Sequence, residues 1–364
     1  MEAAQLLIVG CGSLARETLL PLTITLMEDR TSPVNVVLAS RDLRQAEWLV
    51  TLARSRVKTN SSLVTFTAAS IDWDDENRIA DLLNRIEPKV IFHTASYQSA
   101  WSLGAPNLWS KLVKQGGYAV TTALQAALLS KLIRSMAQLR SNAILINACY
   151  PDIVNSLFMS TEIKIFSGVG NINIVFEVLR QSHQDEDSIR VLAGHWDVNQ
   201  LMLPCESRSE PPLAWINGQP INQDELIRLP TIMSDSSLNS LSAYSSAKLI
   251  ASFFRSPRPV VFHLPGPNGM IGGYPVLVDG DVARIDLPPD MDSSKAIAWN
   301  MDRAYRDGGC STEDGYYRFS EATAEVVGKV SRDLAGGFET SDLDEAVKEF
   351  LSLRSFLSNK HCDS

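Results

Sequence analysis

The sequence predicts an α/β protein, with an N-terminal doubly wound parallel sheet of the Rossmann type followed by an α+β region. Three observations predict it. An apolar run, Leu6-Leu7-Ile8-Val9, passes straight into Gly10-Cys11-Gly12-Ser13-Leu14-Ala15. Short apolar runs then alternate with amphipathic stretches up to about residue 155. Beyond that point the alternation changes, and two runs pair around Asp279-Gly280 as a hairpin would.

The first run has no polar residue, as a strand covered on both faces requires. The segment after it has the spacing G-x-G-x-x-A. Its glycines allow a tight turn and the close approach of a pyrophosphate. The small alanine lets the next helix pack on the strand, and that helix offers its N-terminal N–H groups to an anion. Gly10, Gly12, Ser13, Leu14 and Ala15 are therefore candidate cofactor-binding residues, with Thr18 to Met27 as the helix. The second strand, Val34 to Ala39, ends in Ser40-Arg41, with Arg44 one turn further on. A hydroxyl and guanidinium groups suit a ribose 2′-phosphate better than a diol, so Ser40, Arg41 and Arg44 point to NADP. NAD is the alternative, with Asp42 facing the ribose.

A third strand spans Ser62 to Thr67, and a helix runs from Asn77 to Ile86, before Pro88. Lys89 to Ala95 is the fourth strand. Its end should face the nicotinamide ribose, which makes Thr94 and Ala95 cofactor candidates, with His93 beside them. A loop from Tyr97 to Asn107 carries Gln98 and Trp101, and Lys111 to Leu139 is a long helical stretch. The fifth strand, Ala143 to Asn147, places Asn147 and then Cys149 beside the expected nicotinamide. These elements divide the chain into a dinucleotide-binding domain, 1–155, and a substrate domain, 156–364, that ends in a helix starting near Ser341.

In the second half, a strand from Ile163 to Ser167 precedes Gly168-Val169-Gly170-Asn171-Ile172-Asn173 and a helix from Ile174 to Gln181. An apolar strand from Ile189 ends in Gly194-His195-Trp196-Asp197. Tyr244 and Lys248 share a helix face, but they lie far from the fifth strand, where short-chain dehydrogenases carry such a pair. Imidazole titrates near neutral pH and can give and take a proton, but His195 taken alone, at the end of an apolar strand, reads as a core histidine.

The order of these pieces resembles the lactate/malate dehydrogenase superfamily, which includes the NAD-dependent glycosidases. The resemblance rests on the glycine fingerprint, Asp152-Ile153-Val154 after a strand, Val191 to His195, and the hairpin from Gly273 to Pro288. It implies that His195 is the acid/base and that an aspartate ahead of it orients the ring. It also implies two arginines that hold and polarise a keto acid. Here Asn171 and Asn173 stand where that aspartate is expected, Phe176 stands at the clamp, and no arginine occurs between Arg85 and Arg134. Lactate and malate are therefore excluded as substrates. His195, Asn173 and Asn147 are the expected catalytic residues. The glycosidase branch binds a metal through a cysteine at the position of Gly170, so no metal is expected.

Composition bounds the rest. The chain has 364 residues and a net charge of −9, which argues against nucleic-acid binding. No apolar run reaches the roughly 18 residues of a membrane span, and Met1 to Gln5 lacks the positive start of a signal peptide. Five scattered cysteines fit a reducing cytoplasm. The expected function is an NADP-dependent oxidoreductase acting on a carbonyl, imine or alcohol of a small molecule. The alternatives are an enzyme that oxidises its substrate transiently during bond cleavage, or a dinucleotide-binding protein without catalysis. The resemblance also implies a homodimer through the long helix at Lys111 to Leu139.

Overall fold

The computed structural model describes residues 4–28, 33–57, 63–99, 103, 106–181, 188–256, 258–312 and 314–360. Trp101 lies outside the described residues. Six parallel strands form the main sheet: β1 (Ala4–Val9), β2 (Val34–Ser40), β3 (Val64–Ser70), β4 (Val90–His93), β5 (Ile144–Asn147) and β6 (Ile165–Gly168). Their order is β3-β2-β1-β4-β5-β6. Leu6 to Val9 are fully buried, as their apolar run requires. The strand order reverses between β1 and β4, which opens a crevice beyond their carboxyl ends.

Helices α1 (Ser13–Glu28), α2 (Leu43–Arg54), α3 (Glu76–Ile86), α4 (Leu108–Gly116), α5 (Thr122–Gln138) and α6 (Pro151–Val154) connect these strands. The carboxylates of Asp42 and Asp75 cap α2 and α3 by accepting N–H groups of the first turn. The second half continues through α7 (Asn171–Arg180), β7 (Ile189–Leu192), α8 (His195–Leu201), β8 (Leu213–Ile216), β9 (Gln219–Pro220), α9 (Gln223–Ile227) and α10 (Leu238–Ser252). It then runs through β10 (Val260–Pro265), β11 (Gly273–Asp279), β12 (Val282–Ile285), α11 (Ser293–Arg306), β13 (Gly309–Ser311), β14 (Tyr316–Phe319), α12 (Glu321–Gly328), β15 (Phe338–Glu339) and α13 (Leu343–Ser358). Its strands form three small antiparallel sheets, β7-β8-β9, β10-β11-β12 and β13-β14-β15. The β11–β12 hairpin turns at Asp279-Gly280, where Gly280 has φ +62°.

Three sequence expectations change. The parallel sheet takes its sixth strand from beyond residue 155, so that boundary cuts through the sheet. The stretch from Lys111 to Leu139 is two helices joined by a 3₁₀ turn, Tyr118–Thr121. The break falls at Gly117, where φ is +82° and a Cβ would lie 2.9 Å from the carbonyl oxygen of Asp307. His195 begins a helix instead of ending a strand: Gly194 N–H donates to the Asp197 carboxylate at 2.8 Å, which starts α8.

The halves share their cores. Helix α10 lies along α1, and Ala247 and Ile250 join Leu19 and Leu22 in one apolar cluster. Helix α5 has 13 of its 17 residues buried, and α3 and α13 pack against it. Among the described residues no helix is long and apolar enough to cross a membrane.

Candidate active site

A cleft of about 790 Å³ runs along the carboxyl ends of the sheet, from Gly10 and Gly12 to His195. At its first end β1 passes into α1. Gly10 has φ +103°, and a Cβ there would stand 2.6 Å from Thr94 Oγ1 and 2.9 Å from the Ala95 nitrogen. Only glycine fits between the two strand ends. Gly12 is different: a Cβ there would meet nothing within 4 Å, so its backbone faces open cleft. Ser13 accepts a 2.9 Å bond from Asn239 of α10, Leu14 lines the cleft, and Ala15 is fully buried beneath it. The Thr94 hydroxyl donates to the Val9 carbonyl at 3.0 Å, which ties β4 to β1 beside Ala95. Burial pushes the Cys11 thiol up to about 11, while a hydrogen bond with Ser40 opposes the shift.

Ser40 and Arg41 also line this end. The Ser40 hydroxyl accepts the Asp42 N–H at 3.3 Å. Arg44 is turned to solvent and is held by Asp42 through contacts of 3.2 and 3.3 Å, so it does not reach the cleft. Asp42, the cap of α2, lies within reach of Arg44 and draws it away from the cleft.

At the other end, His195 Nδ1 lies 2.7 Å from Asp307 Oδ2. Asp307 follows α11, and its side chain is 5% exposed against 19% for His195. Tyr150 donates its hydroxyl to the same carboxylate oxygen at 2.5 Å, and Asn199 Nδ2 donates to the other at 3.0 Å. Tyr118 stacks on the imidazole at 5.3 Å, and Tyr150 meets it edge-on at 5.2 Å. Tyr150 takes the left-handed conformation (φ +47°), a strain of about 1–3 kcal/mol that the packing around it sustains. Burial pulls the imidazole pKa down, but the Asp307 carboxylate, helped by Asp152, outweighs it, and the net shift is upward. With Nδ1 engaged, Nε2 is left for the cleft. Among the described residues the lining contains Arg41, Lys114 and His195 but no Asp or Glu side chain.

No family model and no curated protein matches this chain. Solved structures do. It is similar to the 6-phospho-beta glucosidase of Thermotoga maritima, solved with manganese, NAD+ and glucose-6-phosphate. That match has 12% identity over 99% of this chain and 100% of that one, with a TM-score of 0.56. The malate dehydrogenase of Naegleria fowleri matches at 12% identity over 95% and 99%, with a TM-score of 0.53. The lactate dehydrogenase of Cryptosporidium parvum, solved with lactic acid and nicotinamide adenine dinucleotide, matches at 14% identity over 99% of both chains, with a TM-score of 0.50. The fold is that of the lactate/malate dehydrogenase superfamily. The chain resembles that superfamily, glycosidase branch included, along its whole length.

Set on the superfamily fold, the histidine's surroundings differ from the sequence expectation. Its carboxylate partner is Asp307, 112 residues downstream, and neither Asn171 nor Asn173. Asn173 is buried, closes the start of α7 on Gly170 at 3.2 Å and donates to the His263 carbonyl at 2.6 Å. Asn147 is also fully buried. It donates to Asn155 at 2.8 Å and accepts the Cys149 N–H at 2.9 Å, so it fixes the turn after β5 and does not line the cleft. Phe176 points away from the cleft and stacks on His263 at 4.1 Å. From α7 it is Asn171 and Ile174 that face the cleft. Asn171 donates to the Asp152 carboxylate.

The Cys149 thiol lines the cleft, but burial pushes it up to about 12, against any role as a thiolate. His93 is fully buried, has no hydrogen-bond partner and is held neutral, at about 3, by burial. Lys248 lies over the Tyr244 ring at 4.8 Å, away from the cleft. Sequence reasoning missed Asp307, Asn199, Tyr118 and Tyr150. Asn199 stood four residues after His195, the spacing that shares a helix face, and was findable. Among the described residues no group of three His, Cys, Asp or Glu side chains could hold a metal.

Proposed function

We propose that the protein is an NADP-dependent oxidoreductase acting on a carbonyl, imine or alcohol of a small, largely apolar molecule other than lactate or malate. The observation that carries this reading is the single cleft joining the glycine turn to the His195–Asp307 pair. The residues fit a dinucleotide: the open space over Gly12 would admit a pyrophosphate at the N-terminus of α1. Arg41 lines the cleft and makes no ion pair among the described residues, so it is the candidate for a 2′-phosphate. The likeness to proteins solved with NAD supports a nicotinamide cofactor.

The nicotinamide would supply or accept the hydride. His195 gives a proton from Nε2 to the oxygen or nitrogen being reduced, and takes one in the reverse direction. Asp307 holds Nδ1–H, fixes the tautomer and steadies the charged ring. Tyr118 and Tyr150 shield two sides of the imidazole from water. The amides near the site are already engaged: Gln125 with Gln98 and Tyr118, Asn199 with Asp307, and Asn171 with Asp152. With no arginine beside His195 in the lining, the carboxylate of a 2-keto acid would lack a close bidentate partner. We place the protein in a reducing compartment such as the cytoplasm, since its four described cysteines are unpaired.

Calorimetric titration of the full chain with NADPH and NADH tests the first half of this reading. NADPH should bind more tightly, and failure of both to bind overturns it. A panel of aldehydes, ketones and imines, followed by NADPH absorbance, tests the second half. Pyruvate and oxaloacetate should fall well below about 10⁴ M⁻¹s⁻¹ in kcat/KM.

A further inference from the structure

His195 touches a second, much smaller cavity, of about 10 Å³, lined by Asp152, Asn300, Arg303 and Ala304 together with Asp307. Buried polar atoms without a partner crowd this place: Asp152 Oδ1, Asn300 Oδ1 and Arg303 Nε. Each belongs to a side chain otherwise well satisfied. Asp152 takes the Asn171 amide on its other oxygen, and Asn300 donates to the Gly273 carbonyl at 3.2 Å. Arg303 gives its outer nitrogens to Glu210 at 2.8 Å and Pro211 at 3.1 Å, and its plane lies between Trp196 and Trp299 at 4.4 and 4.6 Å. Nearby, Asp197 Oδ1 stands 3.8 Å from Arg303 Nε, too far for a hydrogen bond. Native interiors leave such groups unpaired only rarely. The volume suits one water, and the chemistry selects it. A cation would face the guanidinium and an anion two carboxylates, whereas water can accept one N–H and donate to two oxygens.

We propose that this cavity holds one ordered water, accepting from Arg303 Nε and donating to Asp152 Oδ1 and Asn300 Oδ1. We propose further that Asp152, held in place by this water on the wall it shares with His195, is a positioning residue that favours the charged form of His195. The groups that face this cluster are Asp307, Tyr150 and Tyr118 on the imidazole side, Asp197 at the start of α8, Arg303 with its partner Glu210, and Tyr274 beside Asn300. Burial pushes Asp152 up to about 6, against the Asn171 hydrogen bond and His195, which lower it, and pushes Asp197 up to about 7, so Asp152 is the more readily ionised of the two. The proposal rests on His195 as proton donor only for its use, because water and titration are both measured without a substrate.

Two measurements decide it. A high-resolution crystal structure of the full chain should show a single water peak between Asp152, Asn300 and Arg303, and an empty cavity overturns the proposal. The second measurement is the NMR titration of the His195 Cε1–H, assigned with His195→Gln. Asp152→Asn should lower its midpoint by about one unit or more, the effect of removing a close opposite charge, and leave the other histidines unmoved. Ala304→Val fills the cavity without touching a charged group and should shift the same midpoint downward. It decides the matter if Asp152→Asn does not fold. An unchanged midpoint in a folded variant refutes the role of Asp152, and loss of cofactor binding in the parent protein would refute only the function proposed above.

Discussion

At one end of the cleft, Gly10, Gly12 and Ser13 are near neighbours in the chain, held by a single turn between β1 and α1. At the other, His195 meets Asp307 across 112 residues, and Tyr118 and Tyr150 arrive from two further segments. The first end is local backbone geometry. The second is assembled by packing between distant elements, and it should fail in different ways.

The largest effect is expected at the assembled end. Asp307→Asn leaves the shape but removes the charge that favours the protonated ring. Turnover should fall by roughly 10²–10⁴, while calorimetric affinity for NADPH stays as it was. A parallel loss of cofactor affinity would mean that the two ends are not separable. At the local end, two glycines separate folding from binding. Gly10→Ala should destabilise the fold by about 1–3 kcal/mol through backbone strain alone, and more from its clash with Thr94. Gly12→Ala should leave thermal stability unchanged yet weaken NADPH binding, since its methyl group would fill the space a pyrophosphate needs. Equal melting temperatures for the two variants would refute this distinction.

A smaller effect belongs to cofactor choice. Arg41→Ala should cost NADPH about 1.5–3 kcal/mol of affinity, the worth of a charge-assisted hydrogen bond, and leave NADH unchanged. Arg44→Ala should change neither, because Asp42 already holds that side chain. The smallest effect concerns acid stability. Unfolded His93 takes a proton near the ordinary imidazole value of about 6.5, whereas the folded, buried ring resists one until about pH 3. The folded state thus loses stability as pH falls from about 6.5 toward 3. His93→Phe should be close to neutral at pH 7.5 and more stable than the parent at pH 5, by an amount on the order of 1 kcal/mol or more. Urea unfolding at the two pH values measures it, and an unchanged acid sensitivity would count against the buried neutral ring.

Local signals made most of the fold legible. Apolar runs marked the six parallel strands, and Asp279-Gly280 marked its hairpin. The long helix was misread because Gly116-Gly117 sits inside an otherwise continuous apolar pattern. Nothing in the sequence signalled that the cap two residues before Arg44 would compete for its guanidinium. Asp307 gave no signal, since an aspartate after a helix resembles any polar C-cap. Only the packing of α11 against α8 brings it to the imidazole.

The charge of the cleft has a kinetic side. The chain carries −9 overall, yet the described lining of the cleft presents Arg41 and Lys114 and no carboxylate. An anionic ligand approaching this net-negative protein would meet, at the cleft, a lining whose charged side chains are positive. Its capture should be fast at low ionic strength. It should slow as added salt shortens the screening length from about 10 Å at 0.1 M to about 3 Å at 1 M, while the escape rate changes little.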